Sequence, residues 1–99
     1  MSYSVRLTAR ARENIQRLYR YLLVRDKYAA KRAFTVIEKG IAALTEFPFS
    51  CRKADPENLF LRELIIPFGD SGYVILFEVE NDQTVTILAI RHQREEDYH

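Results

Sequence analysis

The chain has no tryptophan, and among its 99 residues it has only one cysteine, one methionine, three glycines and three prolines. Each scarcity excludes something. The single Cys51 cannot close an internal disulfide, so packing must hold the fold and a reducing, cytoplasmic setting is expected. No apolar run approaches the ~20 residues of a membrane-spanning helix. The opening MSYSVRLT has no apolar stretch of the kind a secretory signal needs. Metal-ligand spacing is missing too: His92 and His99 stand near the end of the chain, Cys51 is far from both, and there is no CxxC or HExxH. No metal and no other cofactor is expected. The glycines form no phosphate-binding loop, and FGDSGY (68–73) reads as a tight turn.

What remains is a hydrophobic content of 47% with 29% charged residues, the balance of one globular domain over residues 1–99. A domain of this length buries roughly 60–68% of its unfolded surface, enough for one modest core. The net charge of +1 hides a division. Residues 1–39 carry ten bases against Glu13, Asp26 and Glu38, a surplus of seven positive charges; residues 40–99 carry five bases against eleven acids, a surplus of six negative ones. Such a division either solvates helix surfaces or presents a basic face to an acidic partner, protein or nucleic acid.

Tyr3, Val5 and Leu7 alternate with Ser4 and Arg6, the period of a half-buried strand. Thr8 stands where a helix N-cap belongs. From Ala9 the period changes: Ala11, Ile15, Leu18, Tyr19, Leu22 and Leu23 lie on one helical face. After the polar break RDKY (25–28), Ala30, Ala33, Phe34, Ile37, Ile41 and Leu44 repeat the pattern until Pro48. Gly40 inside this second helix marks a point where another backbone approaches closely. A loop is expected over 49–58, then three strands over 59–66, 73–80 and 84–90 with turns between them. The nearly continuous apolar character of the last two strands puts them at the centre of the sheet. The fold class is therefore α+β in the order β-α-α-β-β-β. The N-terminal strand and a helical hairpin pack on one face of a mainly antiparallel C-terminal sheet, leaving its other face more open. That open face, with the chain end beside it, is the expected functional surface.

The ending IRHQREEDYH (90–99) concentrates bases, acids, two histidines and a tyrosine, as a catalytic cluster, a binding tail or a solvated terminus would. RNA cleavage without a metal needs a base, cations for the phosphate and an acid for the leaving group. Arg62, Tyr73, Arg91, His92, Arg94 and Tyr98 could supply them from the open face. Equally, Arg62 could be a strand-edge charge and Tyr73 a half-buried aromatic. Cys51, beside Arg52 and Lys53, has no nearby histidine and reads as an incidental thiol.

LTARARENIQRLYRYL, IEKGIAALTEFP and LRELIIPFGDSGYVILFEVENDQTVTILAIRHQRE together resemble the ParE branch of the RelE/ParE toxin superfamily, over nearly the whole chain. The resemblance implies a cytoplasmic toxin of a type II toxin–antitoxin pair, neutralised by a small antitoxin whose C-terminal segment folds on binding. It also implies one of two targets. ParE-like members inhibit DNA gyrase and stall it on cleaved DNA. RelE-like members cut mRNA in the ribosomal A site with strand-borne cations and a late aromatic or acid–base residue. Val74 stands where the RelE pattern has a phosphate-stabilising arginine, and Arg62 and Leu64 where it has spaced lysines. This favours the gyrase-inhibiting reading, with Arg62, Arg91, His92 and Arg94 as candidate target-binding residues. Under the nuclease alternative the site would be Arg62, Tyr73, His92, Arg94 and Tyr98.

Overall fold

The computed structural model describes residues 2–94. Strand β1 (Ser4–Leu7) leads through Thr8 into helix α1 (Ala9–Arg25). Thr8 is the expected N-cap, its hydroxyl oxygen accepting from the Ala11 N–H at 3.1 Å. Helix α2 (Lys27–Ala43) follows after a single residue. Asp26 serves both helices: its N–H donates to the Leu22 carbonyl at 2.7 Å, and its carboxylate accepts from the Tyr28 and Ala29 N–H groups. The expected four-residue break is thus one residue long, because one aspartate can end one helix and cap the next.

A 3-10 turn (Pro48–Ser50) precedes β2 (Arg52–Asp55), β3 (Asn58–Phe68), β4 (Ser71–Val79) and β5 (Thr84–His92). The sheet order is β1-β5-β4-β3-β2; β1 runs parallel to β5 and the other pairs are antiparallel. The expected α+β architecture holds, with β5 and β4 central. One strand was not expected. Residues 52–55, read as loop, form an edge strand held by pairing with β3 and by an Arg52–Glu63 ion pair at 3.0 Å. An edge strand of RKAD needs no apolar alternation, so the hydrophobic pattern carries no sign of it.

Both helices cover one sheet face, α1 over β5 and β1, α2 over β3. Leu18, Ile37, Leu44, Ile66, Ile75, Phe77, Val85, Ile87 and Ile90 form the core between them. Leu23 and Phe34, assigned to that core by spacing, are instead exposed. Phe34 meets the Tyr19 ring edge-on at 6.1 Å across the seam between the two helices. Gly40 does mark a close approach, though to side chains rather than backbone: a Cβ there would come within 2.6 Å of Ile66 Cδ1.

A bulge in β5 decides which side chains reach the functional end. Leu76 pairs with Ala89 but Phe77 pairs with Ile87, so Leu88 is the extra residue. Before the bulge the odd-numbered Val85 and Ile87 face the helices; after it the even-numbered Ile90 and His92 do. Helix α1 supports the irregularity. The Thr8 hydroxyl donates to the Leu88 carbonyl at 3.1 Å, and the buried Asn14 accepts from the Ile90 N–H at 2.9 Å.

Candidate functional site

The register shift puts His92 opposite Tyr73 on the helix-facing side of the sheet and leaves Arg91 opposite Val74 on the other side. Tyr73 and His92 meet edge to face at 5.7 Å, and Phe68 lies against Tyr73 at 5.8 Å. The β3–β4 hairpin supplies the next wall. Its two-residue turn, Gly69–Asp70, has a φ of 63° at Gly69, the left-handed first position that favours glycine in such turns. Gly72 is required by a close approach: a Cβ there would run into the Ile66 carbonyl oxygen. The Gln93 N–H donates to the Gly72 carbonyl at 2.9 Å, tying the end of β5 to this hairpin.

Helix α1 closes the third side with Arg17, Leu18, Tyr21 and Leu22. The result is a cavity of about 600 Å³ lined by apolar and aromatic side chains together with Arg17, Arg94, Asp70 and His92. Its size falls in the range of small-ligand sites. Arg94 lies 3.8 Å from Asp70, a solvent-exposed pair that holds neither side chain firmly. The Arg94 backbone N–H donates to His92 Nδ1 at 3.1 Å, a contact suited to the tautomer with its proton on Nε2. Burial pushes the Tyr73 phenol above its ordinary value. The phenol is therefore a donor near neutral pH and a poor proton acceptor.

The candidate residues are not brought to one place. Tyr73, His92 and Arg94 converge on this cavity, which lies at the end of the helix-covered face and not on the open face. Arg91 and His92, read as following the last strand, are inside β5. Arg91 faces the opposite side and bonds through Nη1 to the carbonyls of His92 and Gln93, each at 3.2 Å. Arg62 is elsewhere again. It sits opposite Phe77, four residues along the sheet from Tyr73's position, or about 13 Å at the usual strand rise. It is buried on the helix-facing side, where Nε donates to the Leu59 carbonyl at 2.7 Å and Nη1 to those of Cys51 and Phe49 at 2.9 and 3.5 Å. Its guanidinium also lies over the Phe49 ring at 5.1 Å. A side chain so engaged is a structural tie, not a strand-edge charge. Tyr98 lies outside the described residues. Sequence reasoning missed Arg17 and Tyr21, which α1 brings to the cavity; their only signal was a position on the helix flank next to Leu18 and Leu22. Among the described residues no group of histidines, cysteines and acids could hold a metal ion, and no helix is long and apolar enough to cross a membrane.

Comparison with known proteins agrees with this architecture. A structure of the chromosomal ParDE toxin–antitoxin system from P. aeruginosa superposes with a TM-score of 0.72, covering 96% of this chain and 98% of that one at 20% identity. Two relatives come from Caulobacter vibrioides. The protein named Toxin RelE1 is 37% identical over 79 residues, 80% of this chain and 82% of its own length. Toxin RelE3 is 37% identical over 92 residues, 93% of this chain and 96% of its own. The family model described as the ParE toxin of the parDE type II toxin–antitoxin system matches residues 5–97. The chain belongs to that ParE toxin family, within the RelE/ParE superfamily.

Proposed function

We propose that this toxin, partnered by a cognate antitoxin, acts without catalysis: it binds DNA gyrase and stabilises the complex with cleaved DNA. The single observation that supports this most is the sequestration of Arg62. A phosphoryl-transfer site needs cations aimed at the charge that develops on the phosphate. Here one candidate cation is spent on three backbone carbonyls, Arg91 faces away, and Val74 stands where the nuclease pattern has an arginine. What remains, Tyr73, His92, Arg94 and Arg17 around an open cavity, suits recognition of an anionic or aromatic element of a target. A cytoplasmic location follows from such a target.

The names of the two Caulobacter relatives favour a second reading, ribosome-dependent mRNA cleavage, in which His92 and Arg94 would act on the phosphate. One preparation of toxin decides between them when tested beside each other in a gyrase supercoiling assay and an in vitro translation assay. The proposal expects blocked supercoiling with accumulation of cleaved DNA, and intact mRNA. Site-specific cuts in translated mRNA with unaffected gyrase would establish the alternative. In the gyrase assay His92→Ala with Arg94→Ala should weaken inhibition by roughly tenfold or more, as loss of interface hot-spot residues does.

A further inference from the structure

The end of the molecule opposite the hairpin tip carries a second surface, and Arg62 belongs to it. Phe47, Phe49, Leu59 and Phe60 are exposed there, the first by 67% of its surface. Isolated exposed apolar residues are ordinary, but large aromatics held in contact are a mark of interaction surfaces. Phe49 and Phe60 meet edge to face at 6.2 Å. Arg62 fixes this arrangement: its bonds to the Phe49, Cys51 and Leu59 carbonyls join the segment before β2 to the start of β3, and its guanidinium backs the Phe49 ring. The patch is therefore preorganised, so a partner need not meet the cost of ordering it.

Beside Phe60 a groove of about 360 Å³ runs between the start of β3 and the end of β4, lined by Asn58, Phe60, Glu78, Val79 and Glu80. Its charged lining is acidic, and Glu57 lies in the adjoining β2–β3 turn. Arg6 reaches Glu80 at 3.4 Å in a solvent-exposed pair that contributes little and that a partner's cation can replace. The groove itself therefore disfavours phosphate and suits apolar side chains interspersed with lysine or arginine. The basic hairpin of a second copy has that composition. Such a contact between copies is heterologous, forming a ring where the rotation closes and an open filament where it does not, and a toxin copy held here would show as self-association.

We propose that the Phe49–Phe60 platform and its acidic groove dock a cationic, aliphatic segment of the neutralising antitoxin, with Arg62 as the positioning residue that holds the platform. This rests on the antitoxin pairing and not on gyrase as the target. The test measures the affinity of the purified antitoxin for the wild-type toxin, for Phe49→Ser with Phe60→Ser, and for Glu57→Lys with Glu80→Lys, at low and high salt. Melting temperatures check that each variant is folded; all four positions are exposed, so both variants should be. The proposal expects each double variant to weaken binding roughly tenfold or more. For the charge-reversal pair the loss should shrink at high salt. A photo-crosslinking phenylalanine analogue at position 47 should label an antitoxin peptide containing lysine or arginine among aliphatic residues. Unchanged affinity in both variants, crosslinking to an acidic peptide, or crosslinking to a second toxin copy overturns it. An antitoxin that fails to bind even the wild type overturns the pairing itself, and this proposal with it.

Discussion

Two arginines of similar appearance in the sequence have opposite roles. Arg62 is buried and bonded to three carbonyls; Arg94 is exposed, with its guanidinium 3.8 Å from Asp70 and its backbone N–H bonded to His92. Arg62→Met removes a charged donor from buried acceptors, which costs about 2–3 kcal/mol. It should lower the melting temperature by roughly 10 °C or more in a domain of this size. Arg94→Ala should leave the melting temperature within about 2 °C and weaken action on the target. Thermal melts of the two variants side by side check the contrast. Sequence gave no way to tell them apart, because burial of an arginine depends on which carbonyls the fold brings near it. Tyr73 carries a pH prediction. Burial raises its phenol pKa above the ordinary 10.0, and burial likewise raises the Cys51 thiol, against the opposing pull of Arg62 and Ser50. The folded state thus holds these protons more tightly than the unfolded chain. Their contribution is complete below about pH 8, begins to fall as pH passes the ordinary 9.0 of the thiol and 10.0 of the phenol, and is gone once pH exceeds their raised folded values. Melting temperature should fall across that alkaline range, and Tyr73→Phe with Cys51→Ser should flatten the fall.

At the scale of elements, period and caps made most of the fold legible. The change from period two to period 3.6 at Thr8 located β1 and α1, and the apolar runs after residue 58 located the three long strands. The β5 bulge was hidden for a physical reason. Val85 to Ile90 is almost continuously apolar, so a residue inserted at Leu88 leaves no break in the pattern. Yet that insertion turns His92 toward Tyr73 and Arg91 away, and so decides the membership of the candidate site. Asn14 is the clue in retrospect, a polar residue on the buried face of α1 that meets the irregular backbone. Asn14→Leu should leave the Ile90 N–H buried without this acceptor, a loss of about 1–3 kcal/mol in denaturant unfolding. It should also weaken activity on the target by disturbing His92. Gly72→Ala, which forces β3 and β4 apart at the Ile66 carbonyl, should cost about 1–3 kcal/mol and loosen the same cavity.

Across the whole molecule, the charge division seen in the sequence becomes a spatial one. Nine of the ten bases among residues 1–39 lie on α1 and α2, while Glu78 and Glu80 line the groove between the start of β3 and the end of β4, with Glu57 in the adjoining turn. The resemblance read from motif order anticipated the family, since topology and the order of strands and caps are written locally. It could not anticipate the separation of Arg62 from Tyr73 and His92, which depends on strand register. That separation is the reason to read the protein as a binder and not as a nuclease. The most direct test is a gyrase supercoiling and DNA-cleavage assay comparing wild-type toxin with His92→Ala/Arg94→Ala, both checked for folding by thermal melts. The wild type is expected to block supercoiling and trap cleaved DNA, and the double variant, folded as before, to lose most of that effect. Gyrase unaffected by micromolar wild-type toxin would contradict this reading.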